Sequence, residues 1–340
     1  MPQDSEASLL EAARVARGLT QSALAQRAGV AQGVISKFES GVLPIDARVG
    51  ALAEELNVPV ALVDGTTVRA PHTRVFHRKQ ASLPAKAANR LRADMMLAHV
   101  RVGLLFRDAT IPPLSVPRLP LESALDTPSD RARAVRKLWG VPPGPIENMV
   151  ELLESRGVPC LTWDVTSARV DAIASWPEGA PPIVMLSDHA PGDRLRFTVA
   201  HELGHAVMHD LPSSDCEREA DEFAAEFLMP RAEIRDALRG ATLPRLAELK
   251  SVWGTSIAAL ARRARDVGAI TDSAYRSLNI ELSMSGSRKK EPVEIDPELP
   301  MLVRDVIRDR EAAGETLPGL AASALMSVEE LERHYLLEAS

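Results

Sequence analysis

The sequence predicts a multidomain, α-rich fold: an all-α N-terminal domain, an α+β domain on a small sheet, and a helical C-terminal tail. Three observations predict it. Leu9 to Gly41 alternates short apolar helical stripes with glycine breaks; Val158 to Leu186 holds short apolar runs of strand character; and the chain after Pro230 reads as successive helices. At 340 residues there is room for two or three domains. The net charge of −7 argues against general coating of nucleic acid or anionic membranes. Two cysteines, Cys160 and Cys216, make no disulfide framework and suit a reducing cytosol. No apolar run approaches ~18 residues and no signal-peptide core is visible, so a soluble cytoplasmic protein with no membrane partner is expected.

The first element follows from Ala12, Ala13, Val15 and Ala16, which give a helix its apolar stripe, and Gly18, which ends it. Thr20 caps a second helix, Gln21 to Ala28, and Gly29 supplies the turn into a third from Ala31 to Glu39. This is a helix-turn-helix pattern, and Arg48 to Leu56 completes a domain over residues 1–70. Residues 71–130 differ. Over residues 74–107, Arg74, Arg78, Lys79, Lys86, Arg90, Arg92, Arg101 and Arg107 stand against the single acid Asp94. Lys86 to Phe106 is helix-compatible, with Leu91, Met95, Ala98, Val102 and Leu105 on one face. Such a helix can touch DNA phosphates, form a dimer contact, or present a solvated face. Pro112, Pro113, Pro117, Pro120 and Pro128 then mark a semi-rigid connector or a surface-hugging loop.

The third domain, residues 131–285, begins with helices over Arg131 to Trp139 and Ile146 to Arg156. Strands are expected at Val158 to Trp163, Asp171 to Trp176 and Pro182 to Leu186, with the apolar helix of Arg196 to His205 packed on the sheet. A helix from Glu217 to Met229 stops at Pro230, and helices over Leu243 to Trp253, Ser256 to Val267 and Asp272 to Leu282 follow. Ser283 to Pro300 is polar and reads as a loop. Helices over Leu302 to Ala313 and Leu317 to Tyr335 close residues 286–340, whose role the sequence leaves open between regulation and oligomerisation.

The chemistry concentrates in His201-Glu202-Leu203-Gly204-His205. On a helix, His201 and His205 project from one face, close enough to bind one metal ion. Neutral imidazoles suit zinc, and Glu202 is placed as the catalytic residue that takes a proton from the attacking water. Gly204 leaves one side of the helix open for a substrate backbone or a neighbouring strand. A catalytic zinc needs a third protein ligand. Glu217 is chosen, with Glu219, turned toward solvent, in reserve; Asp221 shares the face of Glu217 and accepts a hydrogen bond from a ligand histidine. His209, one turn beyond His205, is a candidate transition-state donor. Cys216, beside Glu217, is either a thiolate ligand or sensor, or a small buried filler, and Cys160 is a strand core residue.

These residues carry a family resemblance. The blocks His201 to His209 and Glu217 to Pro230, with Pro191 to Phe197, Asn148 to Val158, Leu249 to Gly254 and Ala261 to Ala264, resemble the ImmA/IrrE family of bacterial metallopeptidases over about half the chain. The resemblance implies a zincin-like fold and zinc-dependent cleavage of a protein partner, often a transcriptional repressor. The Glu-x-x-x-Asp spacing is similar to that of thermolysin-like enzymes, hence gluzincin-like. In related zinc peptidases the substrate adds to a sheet edge, for which Asp171 to Ser175 is the candidate. Leu19 to Val30 with Val34 to Gly41 resembles the Xre/Cro-type DNA-binding family, which implies that Ala31 to Phe38 is the recognition helix in the major groove. Gln21 suits a phosphate and Gln32 a base edge, and Ser36 and Lys37 reach a base or the backbone. Ala31 replaces the usual capping Ser/Thr, and Gly33 removes a side chain from the reading face. Residues 1–70 also carry fewer cations than acids, so a single copy binds weakly and a homodimer would compensate.

The expected function is therefore a DNA-binding transcriptional regulator with zinc-dependent endopeptidase activity, cleaving a partner such as a repressor in a stress or mobile-element response. The alternative is a non-cleaving transcription factor whose peptidase-like domain is a sensor or interaction module. An intact Glu202 favours catalysis, since a pure sensor has no need of it.

Overall fold

The computed structural model describes residues 8–43, 46–64, 84–123, 125–163, 170–177, 180–210, 213–286 and 291–336. Arg69, Arg74, Arg78 and Lys79 lie outside them. The N-terminal unit holds α1 (Leu9–Ala16), α2 (Gln21–Arg27), α3 (Gln32–Glu39), α4 (Val49–Leu56) and α5 (Val60–Val63). Ser8 and Thr20 cap α1 and α2 by accepting backbone N–H groups of Glu11 and Ala23, whereas Ala31 leaves α3 without a side-chain cap. Gly18 and Gly29 take φ of 68° and 66°, the left-handed turns that a side chain would strain. Leu10, Leu24, Ile35, Leu52 and Leu56 fill the core. A buried bidentate pair, Arg14 to Glu39 at 2.6 and 2.8 Å, ties α1 to α3.

The helix expected from Lys86 to Phe106 is α6 (Ala85–Leu105). Its predicted face, Leu91, Met95, Ala98, Val102 and Leu105, is buried in a second core. Its other face is buried as well: Ala93, Leu97, Val100 and Leu104 belong to the core of the N-terminal unit. The three fates open to a cationic helix thus give way to a fourth, a spine between two cores. Lys86, Arg90, Arg92 and Arg107 stay exposed, while buried Arg101 pairs with Glu330 at 2.9 Å, and Glu330 also holds Arg17 of the N-terminal unit at 2.9 Å. The proline-rich segment hugs the surface: Ser115 N–H donates to Arg156 O at 3.0 Å and Leu119 N–H to Val207 O at 2.8 Å.

Helices α7 (Pro128–Leu138) and α8 (Met149–Glu154) precede the strands β1 (Cys160–Trp163), β2 (Ala172–Ser175) and β3 (Ile183–Ser187). The sheet order is β1-β3-β2, with β1 parallel and β2 antiparallel to β3; Cys160 pairs with Val184, and Ile173 with Met185. Side chains alternate across it. Cys160, Ala172, Ala174, Val184 and Leu186 face the core that holds α9 (Gly192–Met208) and α10 (Cys216–Leu228). Leu161, Trp163, Ile173, Ile183 and Met185 face the core that holds α6 and the C-terminal helices. Every residue of β2 is buried, so the Asp171 to Ser175 strand is an edge by order but is not open to an added substrate strand.

Helices α11 (Arg231–Ile234), α12 (Leu243–Trp253), α13 (Ile257–Asp266) and α14 (Asp272–Met284) follow. As expected, residues 291–300 form no helix or strand, and they strap the domain. Glu291 accepts the Ile257 N–H at 3.0 Å and holds Lys250 at 2.7 Å; Glu298 accepts the N–H groups of Met149 and Val150 at 2.9 and 3.0 Å and pairs with Arg196. Gly192 opens α9 against the carbonyls of Ile295 and Asp296, where a Cβ would collide with backbone. After α15 (Leu302–Ala312), the helix expected from Leu317 to Tyr335 is broken into α16 (Leu317–Ser323), α17 (Val328–Leu331) and a π-helical turn over Glu332–Leu336. The break falls at Leu325, whose φ is 55°. Among the described residues no helix is long and apolar enough to cross a membrane.

The inner core carries opposing titrations. Burial pushes Asp94 up to about 7, against the nearby charge of Arg90 and a hydrogen bond from Trp163. Burial, with Arg101 nearby, pulls His334, stacked on Trp163 at 3.9 Å, down to about 4. A buried acid with a raised pKa favours the folded state at low pH and loses that contribution as pH rises through 7. A buried imidazole with a depressed pKa contributes fully above ~6.5 and loses its share as pH falls toward 4. Urea titrations should therefore show Asp94→Asn gaining stability over the parent as pH rises from 4 to 7. His334→Phe should gain on the parent as pH falls from 6.5 to 4, by about 1 kcal/mol per pH unit.

Candidate metal centre

The site lies where α9 and α10 meet. His201 and His205, one turn apart on α9, are both buried and bring their Nε2 atoms to 3.1 Å of each other. Glu217, in the first turn of α10, places Oε1 3.4 Å from His205 Nε2 and Oε2 3.7 Å from His201 Nε2. Donors bound tetrahedrally at ~2.0–2.1 Å stand about 3.3 Å apart, so these separations bracket what one ion requires. Two imidazoles and a carboxylate are also the donor chemistry of a zinc-type site, and the residues fit the metal that the sequence leads one to expect.

The far side of each imidazole is held. Asp221 Oδ1 lies 2.9 Å from His201 Nδ1, and Arg262 meets the other Asp221 oxygen at 3.2 Å. Burial would raise Asp221, but the hydrogen bond from His201 and the charge of Arg262 bring it below the ordinary carboxylate range. Burial opposes a charged His201, yet its hydrogen bonds to Asp221 and Glu217 lift it to about 9, the signature of a seat built for positive charge. Glu202, also buried, sits between the two histidines on the same helix.

His209 stands elsewhere than expected. Its Nδ1 lies 2.9 Å from His205 Nδ1, and its Nε2 lies 3.0 Å from Glu219 Oε2. It therefore backs His205 on the side opposite Nε2, and the role of transition-state donor does not fall to it. Glu219 likewise points inward to His209 rather than to solvent. Burial, despite Glu219, holds His209 below the usual imidazole range. The sequence spacing alone did not reveal this Glu219–His209–His205 chain, because the pairing crosses from one helix to the other.

Gly204 does not open the helix to substrate. A Cβ there would lie 3.1–3.2 Å from Phe223, so the glycine lets α10 approach α9. The C-terminal carbonyls of both helices are held by arginines. Arg118 donates to Ala206 O and His209 O, Arg136 to Phe227 O at 2.7 Å, and Arg263 to Met229 O at 2.9 Å. A cleft of about 1010 Å³ opens beside His201, lined among others by Phe197, Thr198, Asp221, Ala225 and Arg262.

On the N-terminal unit, Gln32 donates to Gln21 Oε1 at 2.7 Å, and Gln21 donates to Glu39 Oε2 at 2.7 Å. The two glutamines are thus held as a pair anchored on the buried Arg14–Glu39 bridge. Lys37 is exposed and Ser36 half-buried on α3.

A helix-turn-helix domain followed by an α+β domain with this helix pair defines a DNA-binding protein with a peptidase-like domain. Residues 10–63 match the helix-turn-helix family, and residues 153–265 match the IrrE N-terminal-like domain of peptidase M78. No curated protein sequence matches the chain. The chain thus joins a DNA-binding helix-turn-helix to an ImmA/IrrE-type domain. The second match begins at the end of α8 and ends in α13, and it contains every residue named at the metal centre except Arg118 and Arg136, which brace the helix ends.

Gly204→Val should push α10 away from α9 and cost about 1–3 kcal/mol by overpacking. A melting temperature equal to the parent's would show that the Phe223 contact does not set the helix spacing.

Proposed function

We propose that the chain is a cytoplasmic transcriptional regulator that binds operator DNA and acts as a zinc-dependent, gluzincin-like endopeptidase on a partner protein, of which a repressor is the favoured class. The observation that carries this reading is the convergence of His201, His205 and Glu217 on one point, with the charge of buried Glu202 acting on His201. In this reading the working units are residues 1–70 for DNA and 131–285 for cleavage.

His201 and His205 would hold zinc through Nε2 and Glu217 through its carboxylate. Bound there, the metal makes water a competent nucleophile near neutral pH and polarises the scissile carbonyl. Asp221 fixes His201 with its lone pair toward the metal, and His209 with Glu219 does the same for His205. Glu202 takes the proton of the attacking water on a carboxylate oxygen and returns it to the leaving amine. With β2 covered, the cleft that reaches His201 and Asp221 is the candidate approach for the substrate chain, although Glu202, His205 and Glu217 do not line it. On the N-terminal unit, Gln32 and Lys37 at the start and end of α3 serve base and backbone contacts, with Gln21 at a phosphate and Ser36 beside them. Few exposed cations make one copy a weak binder, and two copies on a symmetric operator supply the missing affinity.

Glu202→Gln should bind zinc with the parent's stoichiometry and lose about 10²–10⁴-fold in cleavage of repressors encoded beside its gene. Equal cleavage by this variant would overturn the mechanism, and a fully active, chelator-insensitive parent would overturn the metal. Footprinting on the gene's own upstream DNA should show protection that weakens in Gln32→Ala. No protection at low salt would remove the DNA-binding half of the reading.

A further inference from the structure

A second group of metal-ligating side chains lies directly behind the first. His209, Cys216 and Glu219 bring one ligand atom each to within 4.8 Å of one another, and none of them is used as a metal ligand in the reading above. His209 Nε2 and Glu219 Oε2 are already 3.0 Å apart, close to the spacing of two donors on one ion. Cys216 opens α10, and its sulfur accepts the N–H of Ser213 at 3.3 Å and lies 3.2 Å from the Ser213 hydroxyl. A cysteine binds metal through its sulfur once the thiol proton has left. Cys216 and His209 are buried, and Glu219 is largely so. Thiolate, imidazole and carboxylate make a softer donor set than that of the first site, suited to zinc or cobalt(II).

The two sites share a hydrogen bond. The Nδ1 atoms of His205 and His209 are 2.9 Å apart, so one of the two rings must donate and the other accept. For His205 to offer its Nε2 lone pair to a metal, its neutral ring carries hydrogen on Nδ1 and donates to His209. His209 then carries its hydrogen on Nε2 and donates to Glu219. For His209 to offer Nε2 instead, the hydrogen must sit on its own Nδ1 and point at His205. That ring then carries its hydrogen on Nε2 and no longer presents a lone pair to His201's partner ion.

We infer that His209, Cys216 and Glu219 form a second, thiolate-containing site for a divalent metal ion, and that its occupation opposes occupation of the His201–His205–Glu217 site through the proton shared by His205 and His209. The opposition rests on the reading of His201, His205 and Glu217 as the first site; the second site does not. Metal entering at Cys216 releases the thiol proton to solvent and flips the tautomers of both rings. Excess metal then switches off the site that scarce metal switches on.

Cobalt(II) titration of the metal-free full chain reads the two sites separately, because only a thiolate ligand gives the near-ultraviolet sulfur-to-cobalt charge-transfer band. His201→Ala keeps His205, His209 and Cys216 while weakening the first site. It should show the thiolate band at roughly 5–150-fold lower cobalt than the parent, the range of a typical coupling. Cys216→Ser and Cys216→Ala should bind cobalt with visible bands only. Absence of a thiolate band in folded His201→Ala, with cobalt still bound by Cys216→Ser, would overturn the second site. Equal midpoints in the parent and His201→Ala would overturn the opposition. A thiolate band in His201→Ala with no cobalt bound by either folded Cys216 variant would overturn the first-site reading instead, and the opposition with it, leaving the second site standing.

Discussion

The close approach of α9 and α10 at Gly204 and Phe223 is the constraint on which the rest of the site depends. His201 and His205 come from one helix and Glu217 from the other, so the distances of 3.4 and 3.7 Å between carboxylate and imidazoles are a direct readout of helix spacing. A functional constellation tolerates about 0.5 Å of misplacement, less than the room a single methyl group takes. The position is made rigid from behind. Phe223 stacks on Phe227 at 5.6 Å between ring centres, and Phe227 meets the edge of Trp139 at 6.0 Å. Aromatic packing of this kind carries much of a core's burial and leaves few alternative arrangements.

Around that contact the chain spends buried charge on position. Arg136, Arg263, Arg196 and Lys250 are all buried, and each meets carbonyls or carboxylates of another element. Leaving such a group unpaired would cost several kcal/mol, so each fixes the segment it touches. The strap residues Glu291 and Glu298 act in the same way on the starts of α13 and α8. The three-stranded sheet is the partition. One face supports the helix pair, and the other supports the spine helix and the C-terminal helices.

What could be read from the residues follows from locality. His201 and His205, and likewise Glu217 and Asp221, stand one turn apart, and periodicity alone brings each pair to a common face, while Glu202 is read from its place between the two histidines in the chain. The strands were readable because their apolar runs are short and bounded by turn residues. The helix-turn-helix was readable through its glycines and caps. The remainder depends on which element packs against which. Nothing in the sequence near His209 says that Glu219 reaches it. Nothing near Gly204 says that an aromatic ring, not a substrate, fills the space. The polar composition of the segment after α14 hides that Glu291 and Glu298 cap distant helices. The second face of α6 was hidden because charges such as Arg101 and Asp94 interrupt an otherwise apolar surface, and both are buried by partners far along the chain.

Helix α6 gives Leu97 and Leu104 to one hydrophobic cluster and Met95 and Leu105 to another. It is therefore counted twice in the stability of the molecule, and neither half owns it. Modular exchange of the DNA-reading head between such proteins would have to transplant this shared girder as well, or rebuild both of its flanks. The seam between the helix-turn-helix unit and the peptidase-like domain is a shared packed element rather than a hinge.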